Sequence, residues 1–249
     1  FADIGHQVYC VDKDLSKINQ LNSGISPIYE PGLDELIKKN HKAKRLYFTT
    51  DLKKAITVSD IIFICVGTPN IKGSLKVDLT FVFKCIKEIL AIKKKKKIIV
   101  TKSTVPIGTG DQIENIIKKK KKLFSVISNP EFLREGEAIR DFRYPDRIII
   151  GSNSKNEFKT MKKLYSPLIN KGAKFFTTSR RGAELIKYAA NAFLATKITF
   201  INEIANLCEK SGINVEDIAL GIGLDTRIGG RFLRPGPAYG GSCFPKDTK

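Results

Sequence analysis

Gln7-Val8-Tyr9-Cys10-Val11-Asp12 is the stretch that decides the fold. It is a short run rich in β-forming residues, closed by an acid and followed at 15–21 by a helical pattern. A strand that leads into a helix and then into another such strand is the repeating unit of a parallel α/β sheet. In doubly wound sheets an acid at such a strand end can accept hydrogen bonds from the ribose hydroxyls of a dinucleotide, favouring NAD over NADP. An acid closing a strand is also a common turn residue, and Asp12 taken alone does not separate the two readings.

Outward from this stretch the alternation continues. Strands are predicted at 7–11, 47–49, 61–66, 98–102, 124–128, 147–151 and 174–177, with helices at 15–21, 33–39, 79–92, 112–119 and 156–169. The strands are apolar at nearly every position, as expected when helices cover both faces of a sheet. From about Gly182 the pattern changes. Residues 183–211 read as one long helix, apolar at Leu185, Ile186, Ala189, Phe193, Ile198, Ile201, Ile204 and Leu207, with Gly212 as its C-terminal stop. A short helix follows from Asn214 to about Leu220. The predicted fold class is α/β: a Rossmann-like doubly wound parallel sheet over 1–180, then an α-helical central domain over 181–249 with a long connecting helix. The boundary is placed at 178–181.

Bulk properties narrow the function classes. The 249 residues, 42% hydrophobic and 28% charged, suit a soluble globular chain with room for more than one domain. The longest apolar run, Ile61-Ile62-Phe63-Ile64-Cys65-Val66, is far too short to span a bilayer. No signal peptide is visible. The net charge of +19 raises the prospect of a nucleic-acid partner. However, much of the excess sits in lysine runs at 93–97 and 118–122, next to predicted helix ends and without interleaved aromatics for base stacking. Those runs read as surface decoration, and no nucleic acid is predicted. The five cysteines are odd in number and form no C-x-x-C pair. Cys10, Cys65, Cys85 and Cys208 read as buried small hydrophobes in a reducing, cytoplasmic compartment. With only His6 and His41 present, no metal site is predicted.

Three loops carry candidate chemistry. Val66-Gly67-Thr68-Pro69 and Ser103-Thr104-Val105-Pro106-Ile107-Gly108-Thr109 each follow a predicted buried strand, where open α/β sheets bind ligands. Pro235-Gly236-Pro237-Ala238-Tyr239-Gly240-Gly241-Ser242-Cys243-Phe244-Pro245-Lys246-Asp247 sets a cysteine among glycines and prolines. Such backbone can approach a ligand closely, and Lys246 would lower the pKa of a nearby thiol. On the loop alone, Cys243 reads equally as a nucleophile or as a packed turn residue.

Seven segments in order resemble the UDP-glucose/GDP-mannose dehydrogenase family. They are Ser26-Pro27-Ile28-Tyr29-Glu30-Pro31-Gly32-Leu33, Gly67-Thr68-Pro69, the 103–109 loop, Asn129-Pro130-Glu131-Phe132-Leu133-Arg134-Glu135-Gly136, Pro145-Asp146-Arg147, Lys187-Tyr188-Ala189-Ala190-Asn191-Ala192 and Gly240-Gly241-Ser242-Cys243-Phe244-Pro245-Lys246-Asp247. The resemblance implies oxidation of the C6 alcohol of UDP-glucose to a carboxylate with two NAD. A thiolate would capture the aldehyde as a thiohemiacetal, a second hydride transfer would give a thioester, and water would hydrolyse it.

Residue by residue, the resemblance makes Cys243 the nucleophile and Lys187 the stabiliser of the oxyanion. Asn191 would hold an ordered water or the C6 oxygen, and Glu131 would be the general base of thioester hydrolysis. Asp247 would join proton transfer, and Thr104 would position the water. Lys187 and Asn191 stand four apart on the predicted long helix and share a face, where Tyr188, Ala189 and Ala190 are predicted not to form a solvent surface. Asp12, Lys17, Thr68, Thr104, Glu135 and Lys246 are the implied cofactor residues. Phe132, Leu133, Glu135, Lys187, Asn191, Arg227, Phe232, Leu233, Tyr239 and Gly240 are the implied substrate residues. Arg227 would reach a partner subunit's site, and a homodimer through the long helix is expected. Phe244 suits the UDP-glucose branch, with GDP-mannose and UDP-N-acetylhexosamine branches as alternatives. The family's first strand with G-x-G-x-x-G and its second α/β domain find no counterpart in this chain. The expectation is a fragment that is inactive by itself.

Overall fold

A computed structural model describes residues 1–74, 76–92, 96–118 and 123–237. The chain divides into two compact units, residues 1–68 with 77–184, and residues 69–76 with 185–249.

The first unit holds two sheets. Strands β1 (Val8–Val11) and β2 (Leu46–Thr49) pair in parallel, with Val8 opposite Leu46 and Val11 opposite Thr49. Between them in sequence run helices α1 (Leu15–Asn22) and α2 (Leu33–Lys42). The Asp14 carboxylate starts α1 by accepting the backbone N–H groups of Ser16 and Lys17, a side-chain N-cap. The second sheet has the order β3 (Ile61–Ile64), β4 (Lys97–Thr101), β5 (Phe124–Ser128), β6 (Arg147–Gly151) and β7 (Lys174–Thr178). Strands β3, β4 and β5 are mutually parallel, and β7 runs parallel to β6.

The α/β class therefore holds, with the strands divided between two sheets rather than one and with a change of direction at the β5–β6 junction. These two strands meet antiparallel, through Ser128 opposite Gly151. An unbroken apolar run reports burial on both faces and carries no signal of strand direction. Gly151 is required at this junction: a Cβ there would lie 2.7 Å from the Ser179 carbonyl oxygen and 2.8 Å from the Arg180 Cα.

Alternate side chains of the central strands feed two cores, as the period of two demands. Ile99, Phe124 and Val126 pack with Ile56 of α3 (Leu52–Val58), Val82, Ile86 and Ile89 of α4 (Thr80–Ala91), and Ile113 and Ile117 of α5 (Thr109–Ile117). Val100, Ile127, Ile148 and Ile150 face the other way, onto Met161 of α7 (Lys155–Leu164), Tyr165 and Leu168 of α8 (Ser166–Ile169). The helix predicted at 156–169 is thus two helices. Pro167 lacks an N–H and cannot continue α7, so the chain turns at Tyr165 and restarts. Helices α3 and α6 (Ala138–Arg143), and a 3-10 turn at Ala2–Ile4, are too short to show a period in the sequence.

Two readings of individual residues change. Lys97, the last member of the first lysine run, is buried, and its ammonium donates to the Ser59 and Thr57 carbonyls at the C-terminal end of α3. The orphan carbonyls of that helix end attract a cation inward. Of the four cysteines read as buried, Cys208 is so; Cys10 and Cys85 are half-buried, and Cys65 is exposed. Strand β3 ends at Ile64, which leaves Cys65 on the loop beyond the sheet.

Helix α9 (Arg180–Ser211) begins in the first unit and continues through the second. Gly212 ends it at φ 67, in the left-handed region open to glycine. Helix α10 (Val215–Gly223) follows, capped by the Asn214 side chain, which accepts the Glu216 N–H at 3.0 Å.

Candidate active site

The register places Ile64, Thr101 and Ser128, the last residues of β3, β4 and β5, side by side. The loops predicted to bind ligands leave from these three ends. The first two are fastened to each other through backbone carbonyls. The Thr68 hydroxyl donates to the Thr104 carbonyl at 2.8 Å, and the Ser103 hydroxyl to the Val66 carbonyl at 2.6 Å. Thr68 and Thr104 are both buried.

The third loop is held at its root. Asn129 donates from Nδ2 to the Ile149 carbonyl at 2.9 Å and accepts the Tyr165 hydroxyl on Oδ1 at 2.6 Å. Burial pushes the Tyr165 phenol far above its ordinary value, so it stays a donor. Beyond Asn129, Glu131 Oε2 accepts the Leu133 N–H at 2.6 Å, and Arg147 lies 4.3 Å over the Phe132 ring. Although Cys65 as a residue is exposed, desolvation of its thiol group pushes that thiol up, opposed by the Lys102 charge and reinforced by Glu131. Lys102 further donates to the Pro130 carbonyl at 3.4 Å. Sequence reasoning missed Lys102 and Tyr165 and gave no role to Asn129, which it read only as part of a family segment. The first is one residue from a loop that it did read, whereas Tyr165 lies 36 residues from its partner and carries no local signal. Leu133 and Glu135 lie on the exposed side of this segment, whose Gly136 N–H donates to Glu30 at 2.9 Å.

Asp12 stands just past β1, its Oδ1 accepting the Asp14 N–H at 2.9 Å and its Oδ2 3.9 Å from the Lys17 ammonium. The predicted cofactor pair is therefore brought together at a half-exposed strand end.

In the second unit Lys187 and Asn191 are buried one turn apart on α9, in line with Ala195 and Ile201. Their flank is more exposed than predicted, since Ala189 is open to solvent and Tyr188 and Ala190 are half-buried. Phe232 adopts φ 67, a left-handed backbone that a bulky residue rarely takes, next to the buried Leu233. Arg227 is exposed and forms a two-pronged ion pair with Asp225 of its own chain, at 2.6 Å and 3.0 Å. The segment leading to the cysteine loop is tied to α9: Lys197 donates to the Ile228 and Gly229 carbonyls at 2.9 Å, and Asn202 accepts the Gly236 N–H at 2.9 Å. Tyr239, Gly240, Cys243, Lys246 and Asp247 lie outside the described residues.

Residues 1–169 match the NAD binding domain of the UDP-glucose/GDP-mannose dehydrogenase family, and residues 181–249 match its central domain. The chain belongs to the UDP-glucose/GDP-mannose dehydrogenase family. It is 56% identical over 253 residues to a UDP-glucose 6-dehydrogenase of Rhizobium meliloti, covering 100% of this chain and 58% of that protein. A UDP-glucose dehydrogenase structure from Pyrobaculum islandicum superposes with a TM-score of 0.93 at 38% identity, and a GDP-mannose dehydrogenase complex from Pseudomonas aeruginosa with 0.83 at 37%. Each comparison covers 99% of this chain and 58% of the solved one. The chain thus spans little more than half the length of its relatives.

The family's NAD domain is a fitting description of the first unit. In it a carboxylate stands past β1, and three loops leave the neighbouring ends of β3, β4 and β5. Among the described residues no cluster of three His, Cys, Asp or Glu side chains could hold a metal ion. No described helix is long and apolar enough to cross a membrane.

Proposed function

We propose that the full-length protein oxidises the C6 alcohol of UDP-glucose to the carboxylate of UDP-glucuronate, with two NAD per turnover. The observation that carries the reading is the fastening of the Thr68 and Thr104 loops beside the Glu131 loop, in a chain of this family. The relatives named UDP-glucose 6-dehydrogenase, 49–56% identical, favour UDP-glucose over GDP-mannose.

NAD, when bound, supplies the two-electron acceptor. Asp12 would accept hydrogen bonds from its adenosine ribose with Lys17 nearby, and Thr68, Thr104, Glu135 and Lys246 would hold the remainder. The C6 alcohol would first lose its hydroxyl proton and a hydride, with NAD as the acceptor, to give the aldehyde; Cys243 would then add as thiolate, forming a carbon–sulfur bond and, once the oxygen is protonated, a thiohemiacetal. With the second NAD as acceptor, the thiohemiacetal would lose a hydride and its hydroxyl proton to give the thioester; water would then attack it, and the thiol would depart as the carboxylate forms. Lys187 balances the oxyanion, Asn191 holds a water or the C6 oxygen, and Thr104 orients a water. Glu131 takes the proton from the attacking water, and Asp247 shares in proton transfer. Phe132, Leu133, Phe232, Leu233, Tyr239 and Gly240 enclose the sugar nucleotide. The division into a cofactor domain at 1–180 and a central domain at 181–249, and a cytoplasmic location, belong to the same reading. So does a homodimer: Leu185, Phe193, Phe200 and Leu207 are exposed at intervals of seven or eight along α9, a stripe suited to a second copy. Arg227 would then exchange Asp225 for the partner's ligand.

The test is NADH release by the full-length protein with UDP-glucose, GDP-mannose and UDP-N-acetylmannosamine in parallel. Two NADH per UDP-glucose, and no turnover by Cys243→Ala, are expected. GDP-mannose as the best substrate would overturn the substrate assignment.

A further inference from the structure

Helix α5 begins at Gly108, which has φ 90 and no side chain to cap the helix. Its first backbone N–H groups nevertheless have partners. Glu184, buried at the start of α9, accepts the Gly108 N–H on Oε2 at 2.6 Å and the Gly110 N–H on Oε1 at 2.8 Å. The same Oε1 accepts the Ser128 hydroxyl at 3.0 Å. A carboxylate 74 residues away in sequence from Gly110 thus serves as the N-cap of α5.

The joined points are significant. Gly108 ends the loop that carries Thr104, and Ser128 ends β5, three residues before Glu131. Gly110 leaves only enough room for this arrangement: a Cβ would stand 2.9 Å from both Glu184 Oε1 and Ser128 Oγ. One turn earlier on α9, Arg180 closes on Asp111 at 3.0 Å and on Glu114, so α5 is gripped on its first two turns. Burial pushes the Glu184 carboxyl above its ordinary range, against the donors that favour its ionised form.

We infer that Glu184 is a positioning residue: through Gly108, Gly110 and Ser128 it fixes the Thr104 loop to the strand end that leads to Glu131. Its consequence for nucleotide binding rests on the dehydrogenase reading; the anchoring itself does not. The full-length protein is compared with Glu184→Ala, Glu184→Gln and Gly110→Ala by amide hydrogen exchange and by calorimetric titration with NAD and with ADP-ribose. In Glu184→Ala the amides of 104–112 should exchange about 10- to 100-fold faster, with the rest of the chain unchanged. NAD should bind about tenfold more weakly, while ADP-ribose, which lacks the nicotinamide, binds within about twofold of wild type. Glu184→Gln, which keeps one accepting oxygen, should recover part of both effects. Gly110→Ala should mimic Glu184→Ala.

Unchanged exchange at 104–112 would overturn the inference. So would a uniform rise in exchange with equal loss of both ligands, which marks a merely structural role. A wild-type protein that binds neither nucleotide would reject the dehydrogenase reading, and the exchange result alone would then decide the anchoring.

Discussion

The Thr68 hydroxyl donates to the Thr104 carbonyl, which fastens the loop after β3 to the loop after β4 across 36 residues of sequence. Both residues are buried, so this bond is shielded from water and joins two loops that share one ligand in our reading.

Thr68→Val keeps the shape and removes the donor. A buried carbonyl that loses a donor costs about 1–3 kcal/mol. The urea midpoint should fall accordingly and NAD should bind more weakly, while Thr68→Ser should stay near wild type. An unchanged midpoint in the valine variant would count against the bond.

Arg180 and Arg181 adjoin in sequence and both reach Asp111, yet they should behave differently. The Arg180 side chain is 4% exposed and also pairs with Glu114, whereas that of Arg181 is 69% exposed. Arg180→Met should cost about 3 kcal/mol, because it strips a buried cation from two carboxylates. Arg180→Lys should not restore it, since one ammonium cannot span both. Arg181→Met should fall within about 0.5 kcal/mol of wild type. Equal losses in denaturant unfolding would refute the difference.

Asp3 ties the amino-terminal turn to α2 and α6. Its hydrogen bond to Lys39, 2.9 Å, and that to Arg143, 2.7 Å, hold its carboxyl down at about 2. A depressed folded value means stability present at neutral pH and lost as pH falls from about 4 to about 2. Asp3→Asn should lower stability at pH 7 by about 1 kcal/mol after allowance for solvent screening, and flatten the slope in that acid window. Parallel pH curves for the two proteins would exclude this role.

Phe193 and Phe200 stand exposed seven residues apart on α9, with Leu185 and Leu207 in line. Phe193→Glu with Phe200→Glu should convert a dimer to a monomer in sedimentation equilibrium while helicity stays unchanged. A dimer that survives both substitutions would place the interface elsewhere.

Much of the candidate site was legible because its residues are close in sequence. Lys187 and Asn191 are one helical turn apart, and the Thr68 and Thr104 loops each follow a recognisable buried strand. Lys97 was misread because a lysine in a run of lysines looks solvated; only the packed neighbour α3 shows carbonyls for its ammonium to meet. Cys65 was misread for a related reason. Apolar context predicts burial, but Cys65 falls one residue past the last strand residue, where the sheet no longer covers it.

The sequence by itself determined the α/β alternation, the long helix and the family, since periodicity, stop residues and motif order are local properties of the chain. The tertiary structure alone decided the antiparallel β5–β6 junction, the Tyr165–Asn129 brace and the Glu184 cap on α5. Each of these is a hydrogen-bonding partnership between groups 20 to 80 residues apart. A backbone N–H must find an acceptor when it is buried, but nothing in its own neighbourhood says which distant carboxylate will supply it.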